Sequence, residues 1–403
     1  MRKCNVKIRC VKAALIVLLC CSILQGQIFK KVASMPGATV MHSATLLNSG
    51  DVIVIGGYGK VLGLPVAVNM ARIYDSHTKK WRLTNGVLNK GRLGHGAIKL
   101  PTGEVVIVGG RGQNETELKT IELYDPVTDS FYLLGKMKYG RRQPKLNFIS
   151  ANKILITGGS RRGEVIEGIQ KNDHGQWVAT VRVVQQKTNA VHSEHATVTL
   201  ADGRVVLISG RSTTIEIFNP SDETFTMCRA RMPKVLDDQC AVLLYDGQIL
   251  IGGGQSVYTN KSVSNLWRLD LVNDTLKTVA TLGAYSKEKT FDGAADMVCI
   301  DLFAHNPKKT GQYIFYCGGE YDPGKGSGRS DVVLDSAYIY DAMTSKLFDV
   351  GPMVAGHDDF AGVLLRDKTS VEILLCGGYG YQEVLSGFTE IFTIATDQLP
   401  ASR

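Results

Sequence analysis

Short apolar runs in this 403-residue chain are preceded, again and again, by side chains that can carry charge or protons. His42 stands before one run, Arg92 and His95 before the next, then Arg141, Arg142 and Lys145, then His192, Glu194 and His195. Asp237 and Asp238, Asp292 and Asp296, and finally His357, Asp358 and Asp359 complete the series. Three chemistries suit such a set. Guanidinium forks at Arg92, Arg141 and Arg142 can grip a carboxylate. His192 and Glu194, with Arg92 holding an acid group, have the residue types for acid–base catalysis. Histidine with carboxylates can hold a metal ion. The spacing matches no recognised metal motif and no nucleophile or cofactor motif accompanies it, so no catalytic residue, metal or cofactor is assigned.

Position sorts these residues further. His42, His95 and His195 stand at one place relative to the run that follows, which points to one packing or hydrogen-bonding task repeated along the chain. His192, Glu194 and His357 break that pattern and are the better ligand candidates. The expected binding set is Arg92, Arg141, Arg142, His192, Glu194, Asp237, Asp238, Asp292, His357 and Asp358. Its cations gather early in the chain and its acids late, so a shared rim would be electrically divided.

The elements that position this set repeat. DVIVIGGYG at 51 returns as EVVIVGGRG at 104, KILITGGSR at 153, RVVLISGRS at 204, QILIGGGQS at 248, YIFYCGGEY at 313 and EILLCGGYG at 372. The doublets, first placed at 56, 109, 158, 209, 252, 318 and 377, recur at intervals of 43 to 66 residues. Each run is a short β-branched stretch ended by glycine, as a strand buried on both faces requires. A strand with a tight turn precedes it, as in HSATLLNSGD at 42 and HGAIKLPTGE at 95. A third strand and a fourth follow, marked by pairs seven residues apart: Tyr74 and Trp81, Tyr124 and Phe131, Phe218 and Phe225, Leu269 and Leu276, Tyr340 and Leu347. In the third copy Ile169 and Trp177 take these places. Four antiparallel strands per unit describe a propeller blade.

From residue 28 to about 398 the chain resembles the kelch family, whose repeat is a Gly-Gly doublet followed by a spaced Tyr and Trp. The pattern is similar to that of the central domain of galactose oxidase. The resemblance implies an all-β, seven-bladed β-propeller with ligands on the face shared by the post-doublet loops. The seventh unit reaches Phe392 in the Tyr place and then runs out of chain for a fourth strand. Phe29 to Met35 repeats the six-residue spacing of Trp81 to Val87, Phe131 to Met137 and Leu347 to Met353, and Met35-Pro36 matches Met232-Pro233. The N-terminal strand is therefore expected to complete blade seven and remove an open edge.

Residues 1–26 put five cations before a short apolar stretch, the plan of a secretory leader cut after Ser22 or Gly26. The stretch is too short to span a bilayer. Acylation at Cys20 or Cys21 is the alternative. The expected organisation is thus a leader over 1–26, a propeller over 27–398 and a tail over 399–403, in a secreted, periplasmic or extracellular protein. Without the leader, 41 cations face 38 anions, a net charge of +3 that gives nucleic acid no footing. Cys228, Cys240, Cys299, Cys317 and Cys376 remain, an odd number with no disulfide framework. Asn114, Asn260 and Asn273 head glycosylation sequons.

For function, the galactose oxidase resemblance implies copper on two tyrosines and two histidines, one Tyr directly followed by a ligand His, and a Cys–Tyr crosslink. This chain has no Tyr-His pair and no such Cys–Tyr candidates. A resemblance to exported kelch epimerases of sugar acids implies six blades, against seven copies here. The expectation is therefore a module that holds a protein or glycan at its rim without reacting, with a carbohydrate-active enzyme, a sugar-acid epimerase before a galactose oxidase-like oxidase, as the alternative.

Overall fold

The computed structural model describes residues 28–287, 289–304, 311–327 and 330–399. The leader, its cut sites and the last four residues lie outside this range. Seven four-stranded antiparallel sheets occur among the described residues. The first is built from Ser43–Leu46, Val52–Ile55, Ala71–Asp75 and Lys80–Leu83, in chain order. The next five, opening at Gly96, Lys145, Ala196, Cys240 and Val298, repeat that order. The glycine-ended runs are the second strands, and Val52–Ile55, Val105–Val108 and Val205–Ile208 are buried along their whole length. Apolar side chains on both faces explain this, because each sheet is packed between two others.

The seventh sheet has a different order. Ala361–Asp367, Ser370–Cys376 and Thr389–Ala395 are followed at the outer edge by Phe29–Lys31. Phe29 lies opposite Phe392, with ring centroids 5.1 Å apart. Tyr74 and Trp81 show the same register and also 5.1 Å, and Tyr124 with Phe131 5.0 Å. Met35 is buried, and its N–H donates to Gly387 O, as the N–H of Met137 does to Lys119 O. First strands touch their neighbours in turn, and that of the seventh sheet touches that of the first.

Three placements differ from the sequence expectation. Val87 is half-exposed, and Leu88 takes the buried place one residue on, its N–H bonded to Asn69 O. In the third sheet Ile166 opposite Val181 fills the aromatic place, while Ile169 and Trp177 sit farther out on a long hairpin of Arg162–Lys171 and Trp177–Lys187. The fifth doublet is Gly253-Gly254, since Gly252 ends the strand with Cys240 opposite it. Both glycines have left-handed φ of 61° and 103°, matching 63° and 98° at Gly56 and Gly57. Cys228, Cys240, Cys299, Cys317 and Cys376 are all free thiols. No helix among the described residues is long and apolar enough to cross a membrane.

Candidate functional site

The residue two places before each first strand carries a left-handed backbone: Met41, Gly94, Gln143, Glu194, Asp238, Asp296 and Asp359. These residues join from sheet to sheet through their main chains. The N–H of Met41 donates to Asp359 O, Gly94 to Met41 O, Gln143 to Gly94 O, Asp238 to Glu194 O and Asp296 to Asp238 O, at 2.8–3.3 Å. One end of the central channel is therefore rimmed by two hydrogen-bonded runs, one from Asp359 through Met41 and Gly94 to Gln143 and one from Glu194 through Asp238 to Asp296.

In five of the sheets the residue after the doublet pairs with this rim. Val40 pairs with Tyr58, Leu93 with Arg111, Asp237 with Gln255, Ala295 with Glu320 and Asp358 with Tyr379. Three sectors result. Val40, Met41, Tyr58, Leu93 and Tyr379 form an apolar and aromatic side, with Arg111, Pro65 and Asn114 completing a groove of about 380 Å³. Arg111 and Arg142 supply positive charge. Glu194, Asp237, Asp238, Asp296, Glu320, Asp358 and Asp359 form the acidic side. Burial, then the charge of Glu194, pushes the Asp237 carboxyl up to about 6. Burial and crowding with Asp331 and Asp359 raise Glu320 to about 7.

Of the expected binding residues, Glu194, Asp237, Asp238 and Asp358 meet at this mouth, joined by Arg142, whose Nη2 lies 3.0 Å from Glu194 Oε1. Asp292 stands apart, largely exposed and paired with Lys261. Arg92, Arg141, His192 and His357 are not on the rim at all, each being at most 1% exposed. They share one repeat position, three residues before His95, Pro144, His195 and Phe360 respectively. In each, one nitrogen donates to the carbonyl that begins the doublet: Gly109, Gly158, Ser209 or Gly377. Another meets a buried glutamate on the third strand: Glu122, Glu164, Glu216 or Glu390. His192 and His357 thus stand where the second and third sheets have arginine, and do not break the repeat. They and Arg92 are closed inside separate sheets, so His192, Glu194 and Arg92 do not assemble as an acid–base group.

His42, His95 and His195 have a different shared task. Each ring lies against the first doublet glycine of the preceding sheet, at Gly377, Gly56 and Gly158. Burial lowers His42 to about 4 and His95 to about 3, so these rings are neutral. Tyr58, Arg111, Glu320 and Tyr379 are rim side chains that sequence reasoning reached only as loops. The signal available was their position directly after a doublet.

A kelch motif model matches residues 102–138. Kelch-like protein 35 of Mus musculus is 21% identical over 250 residues, which is 61% of this chain and 40% of that protein. The match thus spans less than half of the curated relative. A fungal alcohol oxidase of the AA5 family, in complex with copper, aligns over 93% of this chain and 78% of its own, with 15% identity and a TM-score of 0.64. The structure of YjhT aligns over 61% of this chain and 86% of its own, with 14% identity and a TM-score of 0.49. The sheets and the doublets, with the kelch motif match and the likeness to the fungal oxidase, make the chain all-β and similar in fold to kelch-repeat propellers of the galactose oxidase type.

The donors present do not fit copper. Among the described residues, five histidines are committed within or between sheets as above, and His77 and His174 lie in exposed turns after the third strands of the first and third sheets, each N–H donating to the residue that heads the turn. Tyr58 and Tyr379 at the mouth have no histidine beside them in the groove.

Proposed function

We propose that this chain is a seven-bladed kelch propeller, closed by its N-terminal strand, that is exported and holds a protein or glycan ligand at the divided channel mouth without chemical turnover. The carrying observation is the meeting of three sectors around one opening. Tyr58 and Tyr379 offer flat apolar faces, Arg111 and Arg142 offer forked donors, and the acids offer acceptors. Concave, mostly apolar sites with a few convergent polar groups are where propellers and other scaffolds take ligands. The hairpin of Tyr58–Val61 and Leu64–Ala67 raises one wall, and its tip residue Leu62 is 99% exposed. An exposed apolar tip beside a groove suits an extended protein segment, with the tip against the partner's surface.

The reading is tested by presenting the purified chain to displayed peptide and glycan collections, then repeating the positive arm with Tyr379→Ala and Arg111→Ala. Each variant is expected to weaken binding about tenfold or more, as for an aromatic or arginine anchor. Equal binding by both variants, or conversion of a ligand into product by the wild type, would overturn it.

A further inference from the structure

The geometry points to Cys240 and Cys299 as a thiol pair that closes to a disulfide between the fifth and sixth sheets and fastens the ring there. Both lie in first strands, Cys240–Leu243 and Val298–Asp301, which are neighbours around the channel. Side chains alternate between the two faces of a strand, and the packing fixes which way each one turns. Ala241 and Leu243 pack in the core between the fourth and fifth sheets, and Val298 and Ile300 in the core between the sixth and seventh. Cys240 therefore faces the sixth sheet and Cys299 the fifth, and both join the one apolar cluster that holds Leu250, Ile314 and Tyr316. Among the described residues Cys228, Cys317 and Cys376 lie in three other clusters, none of which contains a second cysteine.

The repeat sets the two thiols level with each other. Cys240 is first in its strand, and Cys299 is second in the strand of the next sheet. Gly96 and Leu146 have the same relation in the second and third sheets, where a Cβ on Gly96 would meet Leu146 Cγ at 2.9 Å. Val298 and Gly362 have it in the sixth and seventh, where a Cβ on Gly362 would meet Val298 Cγ1 at 2.6 Å. Side chains at this pair of places thus touch. The cross-strand partners agree, since Cys240 lies opposite Gly252, Cys299 lies opposite Tyr316, and a Cβ on Gly252 would meet the Tyr316 ring at 3.0 Å. Cys240 is also the hydrogen-bond partner of the Cys299 thiol. A disulfide joins Cβ atoms about 3.5–4.5 Å apart, the reach of side chains in direct contact.

Closure needs an oxidant, and a small linear disulfide suffices. One cysteine thiolate attacks a sulfur of the reagent and expels a thiol, and the second then displaces the other half. Two protein S–H groups become one S–S bond, while the reagent's S–S bond becomes two S–H groups. The hydrogen bond to Cys240, then burial, holds the Cys299 thiol well above its ordinary value, so thiolate is scarce at neutral pH and closure quickens as pH rises. The bond constrains the unfolded chain between two first strands, away from the N-terminal strand that closes the seventh sheet.

This inference rests on neither export nor a ligand at the mouth, because the oxidant is supplied. The full chain, reduced and then freed of reductant, is incubated with excess oxidised glutathione at neutral and at alkaline pH, alkylated, digested and mapped by mass spectrometry. The expected product is a peptide pair joined through Cys240 and Cys299, lighter by two hydrogens than the separate peptides and formed faster at alkaline pH. Cys240→Ala and Cys299→Ala should each abolish it, while Cys228→Ala should leave it intact. Circular dichroism of each variant establishes that it is folded. The linked chain should have a higher urea midpoint than the reduced one and lose the difference on addition of dithiothreitol. The proposal fails if the folded chain yields no Cys240–Cys299 pair at either pH, if that pair forms only in urea, or if the two cysteines link separate chains instead. A linked chain with the urea midpoint of the reduced one would overturn the fastening role.

Discussion

At the scale of single residues, buried bonds to glutamate explain why Arg92, Arg141, His192 and His357, which look like part of a binding set, are structural. Glu216 accepts from the N–H groups of Asn189 and Ala190, from Asn189 Nδ2 and from His192 Nε2. Burial alone would raise its carboxyl, but these donors, His192 foremost, lower it from 4.5 to about 2. A folded-state value below the unfolded one means the stabilisation is complete above pH 4.5 and is lost as pH falls toward 2. Urea midpoints measured across that window should fall for the wild type and change less for Glu216→Gln. An equal slope in the two proteins would show that the pair contributes nothing to acid stability. His192→Ala should be worse than either at neutral pH, by about 1–3 kcal/mol, because it removes one donor from a buried carboxylate. The sequence placed Arg92, Arg141, His192 and His357 correctly before the first strands. It could not show that their side chains turn inward, because each partner glutamate lies in the third strand of the same sheet, 23 to 33 residues later.

At the scale of elements, the doublet is both a turn and a packing surface, and both functions require glycine. Gly377 has φ +71°, and a Cβ there would collide with Cε1 of His42 in the neighbouring sheet. Gly63, at the exposed hairpin turn, has φ +81° and open space where a Cβ would stand. Comparing alanine at the two positions separates backbone strain from contact. Gly63→Ala should cost about 1 kcal/mol, from left-handed backbone alone. Gly377→Ala should cost about 1–3 kcal/mol more, since the buried ring must move. Equal losses in denaturant titrations would mean the histidine is free to yield. This arrangement also explains which parts of the fold were legible. The runs ending in Gly-Gly carry their own local signal, so strands and turns could be read directly. Ile166, Leu88 and the shift to Gly253-Gly254 depend on hairpin length and cross-strand register, which spacing along the chain does not fix.

At the scale of the whole molecule, the question is whether the N-terminal strand holds the ring or merely lies on it. Only Phe29–Lys31 is formally paired, but the contacts extend beyond it. Val32 N–H donates to Thr389 O, Met35 N–H to Gly387 O, and Thr393 N–H to Ile28 O. Phe29 packs on Phe392 and, at 6.4 Å, on Phe315 of the sixth sheet, so one side chain joins two sheets. Phe29→Ala should therefore destabilise by about 3–5 kcal/mol, as for a large buried aromatic. Deleting residues 27–35 should go further, exposing the edge of Thr389–Ala395 to pairing with other chains. Because first strands touch their neighbours in sequence and the last touches the first, the loss should lower one cooperative transition for the whole chain. Fluorescence of Trp81 in the first sheet is a suitable reporter, since Trp81 Nε1 bonds Ala33 O on the same N-terminal segment. Trp267, in the fifth sheet, reports from a distance. If both tryptophans report one lowered midpoint, the strand closes a mechanically continuous ring. A separate early transition at Trp81 with Trp267 unchanged would show instead that the seventh sheet and its neighbour unfold alone.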